Sequence, residues 1–153
     1  MNNDKVQFTK ANDRERMLPF LKLADDSENM IRDYIQEGEL YEIVVDDQTV
    51  GIILFTFTAR DIVEIKNMAL VNSMRRKGMG REVIKRFSEH YKKSGYSYMI
   101  VGTANSSIGN LAFYQKAGFR FDHIKRDFFS SYEEPIVEDG IRAFDMIMLK
   151  KTL

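Results

Sequence analysis

The sequence predicts a mixed α/β fold, in which antiparallel strands surround one strand–helix–strand crossover. Three patterns carry this expectation. Residues 40–45 and 50–58 are strand-like and flank the turn Asp46-Asp47-Gln48, which predicts a hairpin. Residues 79–93 hold the strongest helical pattern, with Met79, Val83, Ile84, Phe87 and Tyr91 on one face. Strand-like runs at 62–71 and 98–103 bracket that helix, which makes the crossover.

The remaining elements follow in order. Residues 5–9 form a short first strand. Residues 13–23 read as a helix with Met17, Phe20 and Leu21 clustered, although Pro19 disturbs its start. Residues 28–36 make a second helix, closed by Gly38. In the 79–93 helix, Glu82/Arg86 and Glu89/Lys93 are i,i+4 pairs on the polar face, and Gly95 ends it. Residues 107–117 form a helix stopped by Gly118, and 119–125 and 143–150 supply the closing strands. The stretch 128–140 is long for a plain connection. With Phe128, Phe129, Tyr132 and Pro135 it reads either as an aromatic-lined lid or as a hairpin excursion that buries its rings.

At 153 residues the chain has room for one domain, taken as 1–153. Lysine plus arginine equals aspartate plus glutamate at 23 each, so bulk charge does not favour nucleic acid. The absence of cysteine excludes a disulfide scaffold and a cysteine nucleophile, and fits a cytoplasmic protein. No signal-peptide pattern opens the sequence and no apolar run is long enough for a spanning helix, so no membrane role is expected. His90 and His123 lack metal-like spacing, and no metal is expected.

Charge is distributed unevenly. Residues 24–47 carry nine acids against one base, Arg32; residues 75–93 carry eight bases against two acids; residues 122–145 carry seven acids against three bases. Such blocks suggest two binding surfaces of opposite sign.

The stretch from Met68 to Gly80 runs off a strand and opens directly into the strong helix. Gly78 and Gly80 permit close backbone approach, and the open N–H groups of a helix start attract an anion. Arg75, Arg76 and Lys77 add cations at the same place. Such a loop suits a pyrophosphate. The P-loop pattern is absent, and Gly78-Met79-Gly80 is followed by Arg81, Glu82 and Val83, without the third glycine of the dinucleotide fingerprint.

Ala69-Leu70 followed by Arg75-Arg76-Lys77-Gly78-Met79-Gly80 resembles the fingerprint of the GNAT superfamily of acetyl-CoA-dependent N-acetyltransferases. Asn72 stands where many members have proline. A second block, from Ala112 to Phe119, resembles the family's helix-borne tyrosine followed by Gly-Phe. The resemblance implies the GNAT acyl-CoA N-acyltransferase fold, a central mostly antiparallel sheet with a splayed parallel pair and about four helices. It also implies acetyl-CoA as co-substrate, bound through Met68, Ala69, Leu70, Arg75, Arg76, Lys77, Gly78, Met79, Gly80 and Arg81. In the family the backbone N–H near Leu70 would face the thioester oxygen. One of Asn105, Ser107 and Asn110 would contact the cofactor arm, with Ser107 at the usual asparagine position.

Tyr114 is the residue expected to assist the departing thiolate, since a phenol with an ordinary pKa near 10 stays protonated at neutral pH. Ser107, Asn110 and Tyr114 share one helix face, with Ile108, Leu111 and Ala112 on the adjoining, core-like face. Glu64, five residues before Ala69, matches the general-base position of some members. The competing reading pairs it structurally with Lys66 on the same strand face.

In GNAT enzymes the acceptor site is shaped by the first two helices and the loop between the last strands, which here are the acidic segments. The resemblance therefore implies a cationic primary amine on a small molecule or protein. The rival readings are a non-catalytic acyl-CoA sensor and a nucleic-acid module on 75–93, the latter opposed by the acidic flanks. A homodimer is a further expectation.

Overall fold

Pro19 decides where the first helix can begin. Proline lacks an N–H and is accommodated only in a helix's first turn. In the computed structural model, which describes residues 5–75 and 77–153, α1 (Leu18–Ala24) accordingly starts one residue before it, and Arg14–Met17 forms a 3-10 turn instead. The predicted helix over 13–23 is thus shortened from its N-terminal side. Helix α2 (Glu28–Tyr34) is capped by Ser27, whose hydroxyl accepts from the Met30 amide, and Gly38 follows at φ 55°.

The described residues group into two compact units. The first takes Glu64–Phe87 together with the described part of Met1–Thr58. Here β1 (Val6–Lys10), β2 (Glu39–Val45) and β3 (Gln48–Ala59) pair antiparallel in that order, and β4 (Ile62–Leu70) follows β3 in the sheet. The β2–β3 turn has Asp46 and Asp47 at φ 50° and 62°, the left-handed pair of a tight two-residue hairpin. Leu21, Ile31, Tyr34, Ile35, Leu40, Ile52, Leu54 and Ala69 form one buried cluster under α1 and α2.

Helix α3 (Met79–Lys93) has the predicted bounds, and the five apolar residues of its predicted face are all buried. Of the two expected ion pairs Glu82–Arg86 forms, at 3.1 Å, while Glu89–Lys93 is not found among the described residues. Gly95 follows at φ 97°.

The second unit takes Ala59–Val63 and Ser88–Leu153. Its strands β5 (Tyr98–Ala104), β9 (Met146–Thr152) and β6 (Arg120–Lys125) lie in the order β5-β9-β6, both pairs antiparallel. Helix α4 (Ile108–Lys116) connects β5 to β6, with Gly118 at φ 100° behind it. The last strand starts at Met146, three residues later than expected, because Ala143 to Asp145 are occupied with loop contacts. The long 128–140 connection carries a short hairpin, with Phe128, Phe129 and Tyr132 half-buried. It opens with a 3-10 turn, Phe128–Ser131, and contains the short pair β7 (Val137–Glu138) and β8 (Ile141–Arg142) around Asp139-Gly140. No described helix is long and apolar enough to cross a membrane.

Candidate functional site

In the first unit, β4 presents Ile65, Asn67 and Ala69 as buried residues on one face, with Met68 and Leu70 half-buried on the other. Its end is gripped from β3, where the chain runs so close that a Cβ on Gly51 would lie 2.3 Å from the Ala69 carbonyl oxygen. Past Leu70 the backbone makes one 3-10 turn, with the Met74 amide donating to Val71 and the Arg75 amide to Asn72. The Arg75 side chain turns back, and its Nε donates to the Leu70 carbonyl at 3.1 Å. Arg75 therefore braces the strand end. Lys77 and Gly78 are exposed, and Arg76 lies outside the described residues.

Gly78 has φ +78°, and nothing stands within 4 Å of where its Cβ would be. Its carbonyl accepts the Glu82 amide at 3.1 Å, closing the first turn of α3. The amides of Met79, Gly80 and Arg81 belong to that turn, whose N–H groups α-helical bonding leaves open. The Met79 side chain is buried in the core, so Met79 offers its backbone to the loop. The cradle is open, cationic and rich in N–H groups, and these residues fit a pyrophosphate.

Glu64 is only 9% exposed, between Val63 and Ile65. No ion pair joins it to Lys66 among the described residues; the Lys66 ammonium sits over the Tyr34 ring, 5.4 Å from its centre. Two strand neighbours on one nominal face thus part company, because Lys66 reaches solvent and Glu64 does not. Asn67, which the sequence did not single out, joins three elements. Its Nδ2 donates to the Leu21 carbonyl and to the Tyr34 hydroxyl, each at 3.0 Å, and that hydroxyl donates to Asp25.

The second unit places Asn105, Ser106 and Ser107 between β5 and α4. The Asn105 carboxamide donates to the Arg142 carbonyl at 3.0 Å and accepts the Phe144 and Asp145 amides at 2.8 and 3.1 Å. The Ser106 and Ser107 hydroxyls both donate to Glu138 Oε1, at 3.1 and 2.7 Å. Asn110 is exposed, and no hydrogen bond of its carboxamide is found among the described residues. The adjoining face of α4 is less core-like than expected: Ile108 is 50% exposed and Ala112 is exposed as well, leaving Leu111 half-buried. Tyr114 is the helix's buried residue, its ring edge-on to Phe113 and Phe119 at 5.0 and 5.6 Å. Burial pushes its phenol up to about 12. Serines 106 and 107 lie next to each other in the sequence, but nothing local identifies a glutamate 32 and 31 residues away as the partner of both.

Among the described residues no cluster of histidine, aspartate and glutamate is placed to hold a metal ion.

Residues 13–150 match the family model described as an acetyltransferase (GNAT) domain. The chain is 36% identical to the uncharacterized N-acetyltransferase YvbK of Bacillus subtilis (strain 168) over 97% of both chains. Among solved structures, an IAA acetyltransferase from Bacillus cereus ATCC 14579 shares 37% identity, covers 97% of this chain and 99% of its own, and superposes with a TM-score of 0.88. A GNAT family acetyltransferase from Elizabethkingia anophelis with acetyl-CoA bound shares 34% identity over 98% of this chain and 99% of its own, with a TM-score of 0.91. With the strand-to-helix loop and the buried Tyr114 in place, these matches settle the family: the chain belongs to the GNAT acetyltransferases.

Proposed function

We propose that the protein transfers the acetyl group of acetyl-CoA to a primary amine by direct attack within a ternary complex. The observation that carries this reading is the loop at Gly78, whose positive φ and open side leave the first turn of α3 free to receive a pyrophosphate. The acetyl-CoA-bound relative supports the same cofactor.

Lys77 and the amides of Gly78, Met79, Gly80 and Arg81 would hold the phosphates, with Arg76 adding charge from outside the described residues. Met68, Ala69 and Leu70 would line the arm, and Arg75 would act by fixing the end of their strand. Of the three polar residues, Asn110 is read as the contact to the arm, because its exposed carboxamide makes no hydrogen bond among the described residues. Asn105 and Ser107 are already bonded within their own unit.

The acetyl thioester supplies the electrophilic carbonyl. As the amine nitrogen bonds to that carbon, the amine loses a proton and the carbon–sulfur bond breaks. Glu64, directly or through water, takes the proton. The Tyr114 phenol donates a hydrogen bond to the sulfur as charge develops there. At about 12 it is a weaker acid than free tyrosine, so it stabilises the leaving thiolate chiefly as a neutral donor.

The acceptor is read as cationic, from the acidic segment that includes Asp25, Asp26, Glu28 and Asp33. Asp25 accepts from Ser27 and Tyr34, and Glu28 lies 3.7 Å from Lys22 and 3.9 Å from Arg32. Steering then falls mainly to Asp26, Asp33 and the summed field.

Titration calorimetry with CoA tests the cofactor assignment. Gly78→Pro removes the positive φ and Gly80→Glu places an anion in the loop. Each variant should weaken CoA binding by about 10²-fold or more, since close backbone approach and charge are both lost. Wild-type affinity in both variants overturns the assignment.

A further inference from the structure

The first turn of α4 has no apolar anchor. Ile108, Gly109 and Asn110 are all exposed, and Gly109 lacks the side chain that would stiffen the helix. Nor does the helix cap itself: the backbone of Ser107 is outside the usual cap conformation, at φ −84° and ψ 69°, and its hydroxyl bonds to no amide of its own helix. That hydroxyl donates to Glu138 at 2.7 Å, and the same carboxylate oxygen takes the hydroxyl of fully buried Ser106 at 3.1 Å. A negative charge at a helix start is also favourable through the helix dipole.

Glu138 is itself well fixed. It pairs with Ile141 in the β7–β8 hairpin, and Asp139 and Gly140 follow at φ 52° and 77°. Asn105 ties the far side of that hairpin through Arg142, Phe144 and Asp145. Within the excursion, the Ala143 amide donates to Ile136 and the Asp127 amide to the Asp145 carboxylate. The excursion is thus a braced wall that holds the start of α4 from outside.

We infer that Glu138 is a positioning residue for acetyl transfer: through Ser106 and Ser107 it fixes the start of α4, and so the placement of the Tyr114 phenol two turns along. This rests on the role proposed for Tyr114. Ser107 and Tyr114 share a face at i and i+7, about 10 Å apart along the axis, so a tilt at the first turn is passed to the phenol. Small misplacements of a group acting at the reacting atoms cost large factors in rate.

The test uses the full chain with acetyl-CoA and the fastest acceptor among spermidine, an aminoglycoside and a lysine-containing peptide. Glu138→Ala should lower kcat about tenfold, with CoA affinity within about twofold and the protein still folded at assay temperature. Glu138→Gln keeps an acceptor oxygen and should recover most of that loss. In a Tyr114→Phe background, Glu138→Ala should lower kcat no further, because the two residues act as a unit. Wild-type kcat in Glu138→Ala overturns the positioning role alone. An equal fall on the Tyr114→Phe background also overturns it, because the effect then bypasses the phenol. Wild-type kcat in Tyr114→Phe itself overturns the role of Tyr114, and the positioning role with it.

Discussion

The loop at residues 75–80 and the junction at residues 105–107 each precede a helix, yet they are built by opposite means. The first works with backbone: Gly78 sits at φ +78° with open space beside it, and Lys77 stands exposed. The second works with side chains, each of its three residues bonded to a segment at least 31 residues away. A loop proposed to receive a ligand leaves its donors open. A junction that must hold a neighbouring helix still uses them up. Under the proposed function, the contrast separates binding of the pyrophosphate at the first region from positioning of Tyr114 at the second.

The largest expected effect tests the residue that the second region is proposed to position. Tyr114→Phe should reduce kcat about 10²-fold and leave CoA affinity near wild type, the mirror image of the glycine variants. The pH dependence has a definite sign. Burial raises the phenol to about 12, so its proton is held at every lower pH, and the ratio of wild-type to variant kcat should stay constant up to about pH 10. A ratio that collapses near pH 8 breaks the assignment of the phenol as a neutral donor.

A smaller effect asks whether the first unit also takes part in chemistry. Glu64→Gln should depress kcat/KM below about pH 8 and recover at higher pH, where the amine deprotonates unaided. A constant ratio from about pH 6 to about 9.5 would leave the first unit with binding alone. With Lys66 engaged over Tyr34, such a result could not be blamed on a broken Glu64–Lys66 pair.

The smallest effect belongs to the acidic segment. Replacing Asp25, Asp26 and Glu28 with Asn, Asn and Gln should raise KM for a cationic amine a few-fold at low salt and leave CoA affinity alone. Screening over about 8 Å at physiological ionic strength should shrink the effect. Unchanged KM at low salt would assign these carboxylates to the local bonds they already make, as Asp25 does with Tyr34.

Those same local bonds mark how far the sequence could be read. Helix α3 was legible to the residue, because a 3.6-residue apolar period and a closing Gly95 are local signals. The positive φ of Gly78 was legible for the same reason, since a glycine just ahead of a helix is a local signal. Asn105 was not. It has the composition of a cofactor contact, and only the fold shows its carboxamide bonded to Arg142, Phe144 and Asp145. The exposure of Ile108 escaped notice because burial depends on partners remote in sequence, whereas the β7–β8 pair was foreseen only as a hairpin excursion without its strands. Strands of two residues carry too little pattern to detect.

Gly51, against the end of β4, and Gly78, in the loop that follows it, should answer mutation differently. At Gly78 the constraint is torsional, so asparagine, which visits positive φ, should be accepted better than alanine. At Gly51 the constraint is room. The Ala69 carbonyl stands 2.3 Å from any added Cβ, and no choice of side chain relieves a clash that begins at its first atom. Among natural variants of this chain, position 51 should therefore change only where the path of residues 69 and 70 has changed with it. That linked variation would arise from two backbones in contact, with no side chain of residue 51 to carry it.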